Sequence, residues 1–230
     1  MILQSNDGVL GFTEKIHTQF TPMQIPELKK ITSIAAGSNH VLALDHKGNV
    51  FAWGSGQQNQ LGRRVVERTR LAGLVPREFG LPKQKIKYIS CGAYHSFAMT
   101  KDGKIYAWGL NNFGETGITE GAGEDNAVIF KPTVISELKD YNIKEIKGGG
   151  HHSLACTTDG QLLVWGRADG SQVGIKLSDL PKDHLVYDER GAARILQKPT
   201  VIPGKSSLLH LNYLLTKYRY QCCNSGCWLR

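Results

Sequence analysis

One stretch of this chain is written three times. GSNHVLALDHKGNVFAWG (37–54) aligns without gaps on GAYHSFAMTKDGKIYAWG (92–109) and on GGHHSLACTTDGQLLVWG (149–166). Each copy opens with Gly–x–x–His, at Gly37/His40, Gly92/His95 and Gly149/His152. A turn glycine follows the histidine by eight residues (Gly48, Gly103, Gly160), and a Trp-Gly pair begins thirteen residues after it (Trp53, Trp108, Trp165). Another glycine lies eight residues past each Trp-Gly, at Gly62, Gly117 and Gly174. The copies start 55 and then 57 residues apart. A fixed period of this size restricts the chain to folds in which like supersecondary units stack on one another.

The chemistry inside a unit is that of β-structure. VLAL and VFAW flank DHKG, SFAM and IYAW flank TKDG, and SLAC and LLVW flank TTDG. Paired short runs of apolar, aromatic and β-branched residues about a glycine-ended turn predict a hairpin. A third run precedes each Gly–x–x–His: ITSIAA (31–36), IKYISC (86–91) and IKEIKG (143–148). Farther upstream lies a proline-led extended piece, TPMQIPEL, VPREFGL or KPTVISEL, and proline suits the start or edge of a strand. About four short strands per unit and no amphipathic helix predict an all-β chain of β-propeller blades. The units read as about 21–65, 75–118 and 131–175, with a leading fragment 1–20, the start of a further unit at 198–203 and an unrelated tail over 205–230.

Unit-to-unit differences in length fall between the Leu-Gly-type glycine and the next proline, 62→76, 117→132 and 174→199. Insertions at one equivalent point are expected to emerge on one face, where binding loops belong. Charge is local too. Residues 60–90 hold eight basic against two acidic residues, and 91–204 hold twelve against fourteen. A nucleic-acid footprint needs basic charge gathered over one surface, so general nucleic-acid binding is not expected. No apolar run approaches the ~18 residues of a membrane span. MILQSNDGVLGF lacks the basic and apolar regions of a secretory signal. Five cysteines are no disulfide framework, which points to the cytosol or nucleus.

These motifs resemble the repeat of the regulator of chromosome condensation family over about residues 5–203. The inserts NQLGRRVVERTRLAGLVPREFGL (59–81), YAWGLNNFGETGI (106–118) and DERGAARILQKPTVIP (188–203) are similar to those of its fungal exchange factors for the small GTPase Ran. The resemblance implies a seven-bladed propeller that releases nucleotide from Ran on chromatin in the nucleus, without covalent catalysis and with no cofactor. By this sequence's own period such a ring takes about 385 residues, so the chain is expected to hold three intact four-stranded blades plus fragments. SNDGVLGF (5–12) resembles the end of the family's β-wedge, with Ser5, Asn6, Asp7 and Gly8 at its tip. Asn6, Asp7, Asn39, Arg63 and His151 match GTPase-contacting positions. Asn39 stands where animal members carry an aspartate, and Gly114 where they carry a histidine. The alternative is a propeller scaffold of the same superfamily that binds a partner and exchanges nothing.

Repetition decides between structural and chemical roles. His40, His95 and His152 recur at one structural point, which spaces them around a ring and predicts hydrogen bonds within each blade instead of a shared metal. Trp53, Trp108 and Trp165 are expected to pack between blades. Gly37, Gly92 and Gly149 belong to the same structural set. Arg63, Arg64, Arg68, Arg70 and Arg77 form the basic insert, a candidate contact for an acidic partner. Cys222, Cys223 and Cys227 spell CCxxxC without a well-spaced fourth ligand, so no metal site is expected. No nucleophilic triad, phosphate loop or H-E-x-x-H motif occurs.

Overall fold

The computed structural model describes residues 3–4, 8–12, 18–65, 73–83 and 85–202, which therefore exclude Asn6, Asp7, Arg68, Arg70 and the tail cysteines. A short hairpin comes first, β1 (Leu3–Gln4) with β2 (Thr18–Gln19). Each copy of the repeat then forms three antiparallel strands. They are β3 (Ile31–Ala36), β4 (His40–Asp45) and β5 (Val50–Gly54), followed after β6 (Arg77–Glu78) by β7 (Ile86–Cys91), β8 (His95–Thr100) and β9 (Ile105–Leu110). After β10 (Val128–Val134) come β11 (Ile143–Gly148), β12 (His152–Thr157) and β13 (Leu162–Arg167). The gapless spacing of the repeat is the hairpin register. His40, His95 and His152 stand opposite Gly54, Gly109 and Gly166.

The turn between the paired strands is fastened by the residue that enters it. Asp45 Oδ1 accepts the Asn49 N–H at 2.8 Å, Thr100 Oγ1 that of Lys104 at 2.9 Å, and Thr157 Oγ1 that of Gln161 at 2.8 Å. Short oxygen-bearing side chains make this local bond readily.

The fourth strand comes from an unexpected side. β6 pairs with β5, β10 with β9, and β15 (Ala193–Val201) with β13. The proline-led piece therefore closes the blade before it and does not open the unit it was read with, so the sheets run 31–78, 86–134 and 143–201. Proline explains the placement, since it cannot donate to a ladder and suits an outermost strand. The pairings of β10 and β15 slip in register across Pro132 and Pro199. The third sheet gains a fifth strand, β14 (Leu185–Tyr187), which pairs with β15 short of Pro199.

Adjacent sheets bury one apolar face against the next. Leu42, Leu44, Val50 and Leu61 of the first pack with Ile86, Ile89 and Trp108 of the second. Phe97, Met99 and Ile105 of the second pack with Ile146, Leu163 and Trp165 of the third. Inner strand β7 lies between β3 and β11, and Ser38 N–H to Ala93 O (3.0 Å) and Ala93 N–H to Gly149 O (2.9 Å) link the inner loops. This is the radial stacking of propeller blades. Ile34 is 73 % exposed, whereas its counterparts Ile89 and Ile146 are 4 % and 0 % exposed.

The seams repeat one polar device. Trp108 Nε1–H donates to Gln60 O at 2.8 Å, and Trp165 Nε1–H to Glu115 O at 3.0 Å. Ser96 Oγ–H and Ser153 Oγ–H donate to the same two carbonyls, at 3.0 and 2.7 Å. Each serine in turn pairs with a histidine of the preceding blade, His40 Nε2 with Ser96 (2.8 Å) and His95 Nε2 with Ser153 (2.9 Å). These two histidine side chains thus bond between blades, not within them. Since both serines already donate, each Nε2 carries hydrogen, and burial keeps both imidazoles neutral. Trp53 Nε1–H finds Val9 O at 3.0 Å, which makes Gly8–Gly11 a further copy of the turns Asn59–Gly62, Gly114–Gly117 and Ser171–Gly174.

Gly109 shows how tightly Trp-Gly fits. Its φ is +104°, and a Cβ there would stand 2.5 Å from Tyr94 O and 2.8 Å from His95 Cα. Gly109→Ala is expected to cost about 3 kcal/mol. Gly103→Ala, at φ +88° with nothing within 4 Å, is expected to cost only about 1 kcal/mol. Urea unfolding of the two variants checks the difference, and equal losses would contradict it.

Candidate partner-binding face

In an antiparallel meander, the loop joining the first two strands and the loop joining the last two leave by the same end. The Gly–x–x–His loops and the described parts of the long post-Trp-Gly connections (55–65 and 73–76, 111–127 and 168–192) therefore share one face. The residue before each buried histidine is held there by its backbone. Asn39 O accepts from Ser55 N–H (2.6 Å), Tyr94 O from Leu110 N–H (3.0 Å) and His151 O from Arg167 N–H (2.8 Å). Asn39, Tyr94 and His151 are thus three copies of one half-buried position.

The seam between the second and third blades carries the richest chemistry. The His151 ring lies 5.9 Å from Tyr94 and 5.0 Å from Phe113. Its Nδ1 faces Glu115 Oε1 at 3.3 Å, and that carboxylate is fully buried. Two guanidiniums flank Phe113, Arg167 at 4.9 Å and Arg194 at 5.0 Å from the ring centroid. Arg167 Nε also holds Asp169 Oδ1 at 2.6 Å. Aromatic rings, a histidine edge and two cation–π arginines on a rigid sheet end are the makings of a protein-recognition surface. Connection 111–127 is itself anchored. Asn111 Nδ2 donates to Ile118 O (2.9 Å) and Glu120 O (3.0 Å), and Gly114 packs beside Gln197 and Ile195 of β15.

Of the sequence-derived contact positions, Asn6 and Asp7 lie outside the described residues and the other three fall on two blades. Asn39 and Arg63 belong to the first blade, and His151 to the third. Arg63 directs Nη2 to Ala52 O at 3.3 Å. Burial first, and then the nearby Arg77 charge, pull its guanidinium below the ordinary arginine value. It is therefore half held by the sheet, in contrast to exposed Arg64. Gly114 has φ +66° and occupies the left-handed turn position shared with Asn59 and Ser171. Phe113, Arg167 and Arg194 leave no signal in the sequence, because their residue types do not recur from copy to copy: Phe113 aligns with Gln58 and Gly170, and Arg167 with Ser55 and Leu110. Glu115 was within reach, since the turn alignment sets it beside Gln60 and Gln172.

A family model described as the RCC1-like domain matches residues 4–209. The chain belongs to the RCC1-like domain family. It is 46 % identical over 198 residues to the guanine nucleotide exchange factor SRM1 of Saccharomyces cerevisiae, covering 85 % of this chain and 40 % of that protein. To the protein pim1 of Schizosaccharomyces pombe it is 44 % identical over 208 residues, 90 % of this chain and 38 % of the relative. A crystal structure of Prp20p from Saccharomyces cerevisiae, described with its binding properties to Gsp1p and histones, superposes with a TM-score of 0.79 at 45 % identity. That superposition covers 88 % of this chain and 46 % of the other. The RCC1-like chain thus spans less than half the length of these relatives, and its fold is part of a β-propeller.

Proposed function

We propose that this RCC1-like chain is part of a guanine nucleotide exchange factor for the small GTPase Ran, working in the nucleus on chromatin. The observation that carries the reading is the 46 % identity to SRM1 over 198 residues. Exchange of this kind makes and breaks no covalent bond. A GTPase holds its nucleotide through phosphate-loop N–H groups, a lysine and Mg²⁺. A protein that binds the nucleotide-free state more tightly weakens nucleotide binding by the same factor, because the coupling is reciprocal. A rigid sheet end bearing Asn39, Tyr94, Arg63 and His151 suits that task, since its geometry does not relax toward the bound nucleotide. Asn6 and Asp7 are assigned to the wedge on the resemblance alone.

The test is the affinity of the full chain for Ran in two states. Binding to nucleotide-free Ran is expected to be at least about tenfold tighter than to GDP-loaded Ran. Equal affinity for both would refute exchange and favour the scaffold alternative. A chimera of SRM1 carrying residues 31–201 of this chain is expected to retain release of a fluorescent nucleotide. A chimera that melts cooperatively yet leaves release at the spontaneous rate would refute the reading as well.

A further inference from the structure

We propose that Glu115 is a positioning residue for His151: it fixes the proton on Nδ1 and leaves Nε2 as the ring atom offered to the GTPase. The turns Asn59–Gly62, Gly114–Gly117 and Ser171–Gly174 differ at their second residue. In each of them a side-chain oxygen accepts the N–H two residues back, at 2.8 Å each time: Gln60 from Gln58, Glu115 from Phe113 and Gln172 from Gly170. That bond needs only one oxygen, and an amide supplies it as well as a carboxylate. The second head-group atom is what differs. At positions 60 and 172 it is an NH2 donor, and at 115 an oxygen that only accepts.

The exchange has a counterpart across the seam. Gln60 and Glu115 are equivalent, because their carbonyls receive the tryptophan and serine bonds of the next blade. On those next blades the residue before the buried histidine is Tyr94 in one case and His151 in the other. The acceptor-only head group thus occurs where the facing residue is an imidazole. Burying a carboxylate is costly unless its oxygens are bonded. Glu115 Oε2 takes the Phe113 N–H, and Oε1 has His151 Nδ1 at 3.3 Å. Nδ1 must therefore carry hydrogen. Tyr94 and Phe113 hold the ring from its other sides, and the arginines flanking Phe113 hold that ring in turn. A quarter of the His151 side chain remains exposed, which leaves Nε2 to meet a partner.

This inference rests on Ran being the partner of the loop face, so its test has one arm that does not involve Ran. Glu115→Gln keeps the turn bond, as Gln60 and Gln172 do, but presents NH2 to Nδ1. Nitrogen-15 NMR of histidine-labelled full-length chain at about pH 8.5, above the ordinary histidine range, is expected to show hydrogen on Nδ1 of His151 in the native protein. In E115Q it is expected on Nε2 alone. Nδ1 unprotonated in the native chain, or the same state in both, overturns the proposal. In the second arm, E115Q is expected to weaken binding of nucleotide-free Ran about tenfold. Adding His151→Ala to E115Q is expected to cost no more than His151→Ala alone. A switched tautomer with unchanged affinity, or fully additive losses, overturns the presentation of Nε2 to the GTPase. Failure of the native chain to bind Ran refutes the proposed function instead, and the NMR arm still decides the role of Glu115.

Discussion

Lowering the pH from 7 to 5 is expected to remove roughly 5–6 kcal/mol of folding stability from the three-blade body. The cause is the set of buried repeat histidines. Burial holds His40 at about 3 and His95 well below 6.5, and holds His152 at about 4. Unfolded, all three take up protons near 6.5, whereas folded they stay neutral until their depressed values are reached. The unfolded state therefore binds more protons between these limits. The contribution is complete well above pH 6.5 and declines as the pH falls through it; for His40 and His152 it is exhausted near their folded values of about 3 and about 4. Three histidines give a limiting slope of about 4 kcal/mol per pH unit. Tryptophan-monitored urea unfolding at pH 7, 6 and 5 measures it. His95→Gln is expected to lower the slope by about a third, and a native slope equivalent to one proton or less would contradict the account.

The second large effect is expected at a tryptophan. Trp108 is fully buried, lies 5.2 Å from Phe79 of the first blade and donates to Gln60 O. Trp108→Ala is expected to cost about 3–5 kcal/mol through the cavity it leaves. Trp108→Phe keeps most of the apolar volume, and Gln60 O retains its bond from Ser96, so about 1–2 kcal/mol is expected. Denaturant unfolding separates the two. Equal losses would mean that the indole N–H, and not packing, holds the seam.

Much of this fold was readable from the repeat. The spacing from histidine to Trp-Gly is a hairpin register, and register is what a gapless alignment preserves. Which blade the proline segment joins was not readable, because strand propensity carries no information about a partner beyond a long connection. For the same reason the repeat alone predicts histidine bonds within a blade, whereas His40 and His95 reach Ser96 and Ser153 of the next. The turn Gly8–Gly11 escaped notice because no Trp-Gly precedes it in this sequence, although VLG (9–11) matches QLG (60–62) in form. At the candidate face, the repeat and the family resemblance located His151 but not its surroundings. Phe113, Arg167 and Arg194 come together only because connection 111–127 folds over the edge of the third blade. Glu115 alone left a trace, a carboxylate in a column of glutamines.

The late arrival of each fourth strand matters while the protein is being made. The ribosome must extend the chain through 55–76, 111–127 and 168–192 before β5, β9 and β13 of the sheets begun at Ile31, Ile86 and Ile143 acquire their partners β6, β10 and β15. At about 5–20 residues per second, each growing edge waits on the order of a second or more with its backbone groups unclaimed. Nascent chains are then open to mispairing and to capture by chaperones. Deleting residues from a connection away from the turns at Gln60 and Glu115 is expected to narrow that interval and to leave the seam bonds to those two carbonyls in place.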